Sequence, residues 1–284
     1  MQIRQPEKWH SFTNSIRFNL ITASAALATY TCMYAFRKPF TAATYDGMEF
    51  GSIDLKIWLI MAQLCGYALS KFIGIRVISE IKNKYRAGSI ILLCLTAEAA
   101  LLGFALSRGP IQIVFLFING IPLGMVWGLV FSYLEGRRST EFLAAGLSTS
   151  FIFASGLVKS AGKWLMVEWH VSEIWMPFYT GLIFILPLLV SVWMLNKAPP
   201  PTPEDVAQRQ QRKPMNSEDR WKFFVYCAPP LVLLVMAYIA LTVLRDVRDN
   251  FSAEIWDSMG YNHSPILSSL SCLFPCSSWP YLLW

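Results

Sequence analysis

Apolar residues in this chain come in long, nearly unbroken runs separated by short polar stretches. A helix that crosses a bilayer needs about 20 mostly apolar residues, and seven runs qualify. The first starts near Arg17 and continues beyond Phe36, reaching Tyr45 if Pro39 acts as a kink. The next five are Leu55–Val77, Ala87–Leu106, Ile111–Leu134, Phe142–Val167 and Ile174–Leu195. The seventh is Phe223–Leu244, with an extension to Phe251. The pattern predicts an all-α polytopic membrane protein.

The polar stretches between the runs predict an orientation. Arg4, Lys8, Arg17, Arg76, Lys82, Lys84, Arg86, Arg137 and Arg138 fall on one side, joined by Lys197, Arg209, Arg212, Lys213, Arg220 and Lys222. The opposite loops carry chiefly Lys56 and Arg108, beside Asp46, Glu49, Asp54, Glu168 and Glu173. An excess of Lys and Arg marks cytoplasmic loops, so the N-terminus is expected in the cytoplasm. Trp58, Trp164, Trp169 and Trp175 fall near the outer ends, as an interfacial belt would.

Four segments follow. Residues 1–196 form a six-helix transmembrane bundle, and 197–221 a cytoplasmic linker rich in Pro and charge, including Pro199-Pro200-Pro201. Residues 222–260 hold the seventh helix, and 261–284 an atypical tail. Six helices, a cytoplasmic linker and a seventh helix is the layout of a two-half transporter built from six-helix bundles. After Asp257 there is no charged residue, and Ser, Pro, Cys and Trp dominate. That shift resembles a frameshifted or truncated reading frame. The expectation is a chain that does not transport by itself, because only the first helix of a second bundle is present.

Composition agrees with a membrane class. The chain is 55% hydrophobic and 15% charged, with mean hydropathy +0.42. A soluble domain is nearer 45–50% apolar and about 25% charged. The net charge of +6 does not point to nucleic acid, because the cations cluster between apolar runs. The cysteines show no metal-ligand spacing with His10, His170 or His263, so Cys32, Cys65, Cys94 and Cys227 read as packing residues. Cys272 and Cys276 stay open. No cofactor is called for. Gly120, Gly124 and Gly128 share one helix face and read as a close-packing stripe.

Charges inside apolar runs are costly and often functional. Five stand out: Arg37, Lys71, Glu98, Lys159 and Arg245. Arg37 lies 20 residues after Arg17, about 30 Å along a helix, so it reads equally as a snorkelling arginine at the interface. Lys71 can snorkel as well, being five residues before Arg76, and Lys159 can reach the outer headgroups. Glu98 has the plain reading of a protonated packing residue. Against these, Tyr30, Tyr34 and Arg37 recur at i, i+4 and i+7 and share a face that ends on Lys38. Arg245 ends the seventh helix as Arg37 ends the first, and matched positions in two repeats are where a midplane site forms.

Three motifs carry a family resemblance. They are Tyr30…Tyr34…Arg37-Lys38, the run Tyr67-Ala68-Leu69-Ser70-Lys71-Phe72-Ile73, and Leu244-Arg245 followed by Phe251-Ser252. On these the chain resembles the major facilitator superfamily, and within it the antiporters that exchange organophosphates for inorganic phosphate. The resemblance implies a six-helix bundle of that type and a multi-pass protein of the inner membrane. It implies a small anionic substrate clamped by Arg37 and Arg245, with Lys38, Lys71 and Lys159 supporting and Tyr30, Tyr34 and Tyr67 lining the cavity. Asp249 and Glu98 would balance charge or bind protons. Asn250 stands where the family has an acidic residue; Lys159 would stand in for its helix-five histidine, and Glu80 for a loop aspartate. These departures bear on the substrate. Arginine suits the chemistry, because its planar fork matches phosphate oxygens bidentately. The alternative is a membrane sensor of a phosphorylated metabolite on the same fold. An enzyme is disfavoured, because no nucleophile–base pair or His–acid metal set is visible.

Overall fold

The structure is a computed structural model that describes residues 7–135, 140–197 and 217–258. Most of the linker, Arg137 and Arg138, and the whole tail 261–284 lie outside the described residues. What is described is mostly helical. The helices are α1 (Glu7–Tyr34), α2 (Leu55–Glu80), α3 (Arg86–Leu106), α4 (Ile111–Phe131), α5 (Thr140–Glu168), α6 (Met176–Asn196), α7 (Ser217–Asn250) and α8 (Ser252–Ser258). A two-residue hairpin pairs Glu49–Phe50 with Ile53–Asp54 ahead of α2.

Six of these helices are long and apolar enough to cross a membrane, namely α2 to α7. Among described side chains, α1 adds the apolar stretch Leu20–Tyr34. The chain therefore has the make-up of a multi-pass membrane protein. Much of its apolar surface faces outward, as a lipid-facing exterior requires: Phe72 is 77% exposed and Leu186 is 71% exposed. In lipid, burying such side chains gains nothing, so small residues and hydrogen bonds decide which faces meet.

The helices pair accordingly. α2 packs along α4, and α4 along α3; α3 meets α6, α6 meets α1, and α1 meets α5. The α2–α4 seam is lined by the glycine stripe. A Cβ on Gly120 would lie 2.4 Å from the Gln63 carbonyl oxygen and 2.9 Å from the Tyr67 backbone nitrogen. Backbone meets backbone there, so the packing reading of the stripe holds.

The two ends of the bundle differ in charge. At one end Arg86 donates to the Ser132 carbonyl (3.0 Å) and Tyr133 Oη to Asn196 Oδ1 (3.3 Å), and the helix termini carry more cations, Arg76, Lys82, Lys84 and Lys197, than carboxylates, with Arg76 paired to Glu80 at 3.2 Å. The other end carries more carboxylates. There the backbone N–H of Tyr45 donates to Glu173 Oε2 at 2.8 Å. Burial first, then the nearby Glu173 carboxylate, hold the Tyr45 phenol well above its ordinary pKa.

The first helix ends earlier than the apolar pattern suggests. α1 stops at Tyr34, and the chain turns through Arg37 into a short 3-10 turn, Pro39–Ala42, with no helix reaching Tyr45. Proline has no N–H to give to the preceding turn; Lys38 before it keeps right-handed helical angles, φ −107° and ψ −13°. The seventh helix, by contrast, runs through Pro229 and Pro230 without stopping and ends at Asn250.

The seam yields a direct prediction. Gly120→Ala should destabilise the protein by about 1–3 kcal/mol, the usual cost of overpacking. Gly88→Ala, where a Cβ meets nothing within 4 Å, should be neutral or gain up to about 1 kcal/mol from helix propensity. Thermal unfolding of both variants in one detergent checks the pair; equal stability would mean that the seam yields freely.

Candidate functional site

The site begins with the break in α1. Because Pro39 carries no N–H, and because the Lys38 carbonyl already accepts from Thr41 N (3.1 Å) and Thr41 Oγ1 (2.8 Å), the carbonyls of Phe36 and Arg37 have no helical partner. Two amide side chains meet them. Asn119 Nδ2 donates to the Phe36 carbonyl at 3.0 Å and to the Ala97 carbonyl at 2.9 Å. Gln63 Nε2 donates to the Arg37 carbonyl at 2.8 Å and to Asn119 Oδ1 at 2.8 Å. Irregular backbone at membrane depth survives only where protein satisfies it, and α2, α3 and α4 all contribute here.

The break aims two cations in different directions. The Arg37 guanidinium lies 4.0 Å from the Tyr67 ring centroid and 5.9 Å from that of Tyr34. Tyr34 in turn meets Tyr30 edge-on, ring centroids 5.5 Å apart. Arg37 Nε is buried with no hydrogen-bond partner. Lys71 approaches the other side of this group, with Nζ 5.0 Å from the Tyr67 centroid, though its side chain is exposed. Tyr30, Tyr34, Tyr67, Arg37 and Lys71 thus form one cation–aromatic group; the shared helix face implied Tyr30, Tyr34 and Arg37, and the resemblance Tyr67 and Lys71.

Lys38 turns the other way and meets the end of α7. Its Nζ lies 2.7 Å from Asp249 Oδ2 and donates to Asn250 Oδ1 at 2.8 Å. Lys159 of α5 approaches the same carboxylate, 2.7 Å from Oδ1, and also donates to the Asp249 carbonyl. Ser155 Oγ donates to Asp249 Oδ1 at 2.6 Å, and Lys159 Nζ reaches Ser252 Oγ at 3.4 Å. Lys38 is 7% exposed and Lys159 is 2% exposed. Both lysines therefore sit against the C-terminal turn of α7, where the helix dipole adds partial negative charge to that of Asp249. Next to this cluster, Lys56 at the start of α2 is paired with Glu254 of α8, with Phe251 below it, ring centroid 5.7 Å from Nζ.

Arg245 does not join either group directly. It is 54% exposed and its guanidinium pairs with Asp246 Oδ1 at 3.2 Å. It remains within electrostatic range of Tyr34, as Asp246 is of Arg37. Glu98 is paired with none of these cations; its carboxyl is buried between α3 and α6. Gln63, Asn119, Ser155, Lys56 and Glu254 are site residues that the sequence reading did not single out. A polar amide in the middle of an apolar run was the available signal for the first two. Among the described residues no His/Cys/Asp/Glu group has the make-up of a metal site.

A family model matches residues 39–273, and its description is a family of unknown function, DUF5690. The chain belongs to this family. No curated protein and no solved structure matches it. Within the DUF5690 match lie Lys71, Glu98, Lys159, Arg245 and Asp249, while Arg37 and Lys38 directly precede it.

In this DUF5690 chain the Asp249 cluster ties α7 to α1 and α5. Removing one partner of a buried pair leaves an uncompensated charge, at a cost of about 3–5 kcal/mol. Asp249→Asn should therefore cost about that much, and Lys159→Met should cost less, because Lys38 still neutralises Asp249. In a double-mutant cycle on thermal stability the two changes should be clearly non-additive. Additive losses would mean that the cluster is not one coupled unit.

Proposed function

We propose that this chain forms part of a carrier for a small phosphorylated or similar anion, which exchanges it with inorganic phosphate by alternating access. In this reading α1 to α6 form a bundle of the major facilitator type, α7 opens a second bundle, and the N-terminus is cytoplasmic in an inner membrane. The observation that carries the reading is a local excess of positive charge. Lys38 and Lys159 share the single carboxylate of Asp249, which leaves one positive charge unmet. Arg37, turned toward Tyr34 and Tyr67, adds a second: among the described residues no carboxylate touches it, and Asp246, within electrostatic range, is paired with Arg245. A phosphate dianion meets both.

The donors suit such an anion. Arg37 Nε is buried and unpartnered, and a guanidinium offers phosphate two parallel hydrogen bonds. The tyrosines around it provide hydroxyls that bind oxygens without adding charge. Asp249 gives the empty site a partial counter-charge, so an incoming anion must compete with it for Lys38 and Lys159. That competition loosens the hold of the α7 end on α1 and α5, which is the kind of differential contact a conformational switch requires. Lys71 and Arg245, the exposed members of the set, would complete the anion's contacts when helices close over it.

Binding of inorganic phosphate to the protein in lipid nanodiscs tests the reading. Arg37→Lys keeps the charge but loses the fork. One lost charge-assisted hydrogen bond is worth about 1.5–3 kcal/mol, so affinity should fall by at least about tenfold. Sulfate should compete, and uncharged glycerol should not. Phosphate affinity unchanged in Arg37→Lys would remove Arg37 from the site; no phosphate binding to the wild type would overturn the anion reading.

A further inference from the structure

The contacts at Arg37 and Asp249 do not involve Glu98, which the family resemblance casts as a charge-balancing or proton-binding group. Glu98 stands on α3, 12 residues in from Arg86 and eight from Leu106, so about 18 Å and about 12 Å of helix separate it from the two ends. It is 5% exposed, and neither Oε1 nor Oε2 has a hydrogen-bond partner. The carboxyl lies flat against α6. A Cβ on Gly181 would come 2.0 Å from Oε2 and 2.9 Å from Oε1, so the absence of a side chain at Gly181 makes room for it.

Among the described residues, no cation or free donor around it can hold a negative charge. α4 and α6, which pack on α3, contain no Asp, Glu, Lys, Arg or His. Tyr179 of α6 is 41% exposed and stacks against Trp175 and Phe178. On α3 itself the other titratable groups are Cys94, one turn away and buried, and Arg86 at the far end, which donates to Ser132. The neighbouring polar groups are committed: Thr180 Oγ1 donates to the Met176 carbonyl, and both amide hydrogens of Asn119 go to the carbonyls of Phe36 and Ala97. A bare carboxylate in apolar surroundings is prohibitive, and such a group takes up a proton instead. A metal cation does not fit, because hard cations need about six oxygen ligands and the seam offers one carboxyl.

We propose that Glu98 is a proton-binding site: it carries a proton while α3 and α6 are packed together, and releases it when the seam admits water. The exchange is a simple one, carboxylate plus proton giving carboxylic acid, with bulk water as the source and sink. Protonation and the packing of α3 on α6 are thereby linked, since the ionised form can exist only in the opened seam. The site is built apart from the cations at Asp249, and the inference does not rest on the anion reading. A chain that failed to bind phosphate would still test it.

Infrared spectroscopy of the whole protein in a bilayer provides the test. At neutral pH the wild type should show a carbonyl stretch of a protonated carboxylic acid that shifts in heavy water. The band should be absent from Glu98→Gln, unaffected by added sodium, and lost at alkaline pH. An identical band in Glu98→Gln, no band in the wild type, or loss of the band on adding sodium would overturn the proposal. Should Glu98→Gln fail to fold, dicyclohexylcarbodiimide, which attacks protonated carboxyls in apolar sites, decides on the wild type alone. Mass spectrometry should find the adduct on Glu98, with a yield that falls as the pH is raised. An unmodified Glu98 would overturn the assignment.

Discussion

A bilayer offers no water to an unpaired peptide group, and this constraint organises the molecule around the break at Pro39. The turn after Tyr34 frees the carbonyls of Phe36 and Arg37, and side chains must come to them. Gln63 and Asn119 do so, and each also binds the other or a third helix. The close approach of α2 and α4 over Gly120 places both amides within reach of the break. Without that seam the break would be unsatisfied; without the break Arg37 and Lys38 would follow the helix out of the bundle. Packing by small residues and the placement of two cations are thus one arrangement.

From there the electrostatics follow. Lysine buried at a few per cent exposure must be paired or lose its charge, and Lys38 and Lys159 find the same carboxylate. The described polar contacts between α7–α8 and the preceding helices gather at this end, through Asp249, Asn250, Ser252 and Glu254. The apolar length of α7 is exposed along its span. The attachment is therefore electrostatic and concentrated in a few groups. An interaction of that kind can be exchanged for a ligand, whereas an interdigitated apolar face cannot be swapped group by group.

Much of this was legible in the chain. Apolar runs located α2 to α6 closely, and charged residues inside the seven runs drew attention to Arg37, Lys71, Glu98, Lys159 and Arg245, because in an apolar background a charge is conspicuous. In the aromatic group around Arg37, Tyr30 and Tyr34 followed from their spacing to it, and Tyr67 from the family resemblance. Pro39 was visible, but a kink and a full break differ only in what satisfies the freed carbonyls, and that is decided by Gln63 and Asn119 on other helices. Those amides carry no charge and pass as ordinary positions in an apolar run. The meeting of Lys38 with Asp249 joins residues 212 apart in the chain, which no local pattern encodes. Matching helix ends drew attention to Arg245, whereas the residue that reaches Lys38 and Lys159 is Asp249, one turn further along α7.

The central claim is that an anion and Asp249 compete for Lys38 and Lys159. The most direct measurement is the distance between spin labels at Trp169→Cys, just beyond α5, and Ser258→Cys, at the end of α8, by pulsed electron resonance in nanodiscs, with the native cysteines replaced. Without ligand, the account predicts one short, narrow distance distribution. Saturating inorganic phosphate should move population to longer distances, and Arg37→Lys should keep the starting distance but need at least about tenfold more phosphate for the same shift. A distribution unchanged by saturating phosphate in the otherwise wild-type protein would contradict the account.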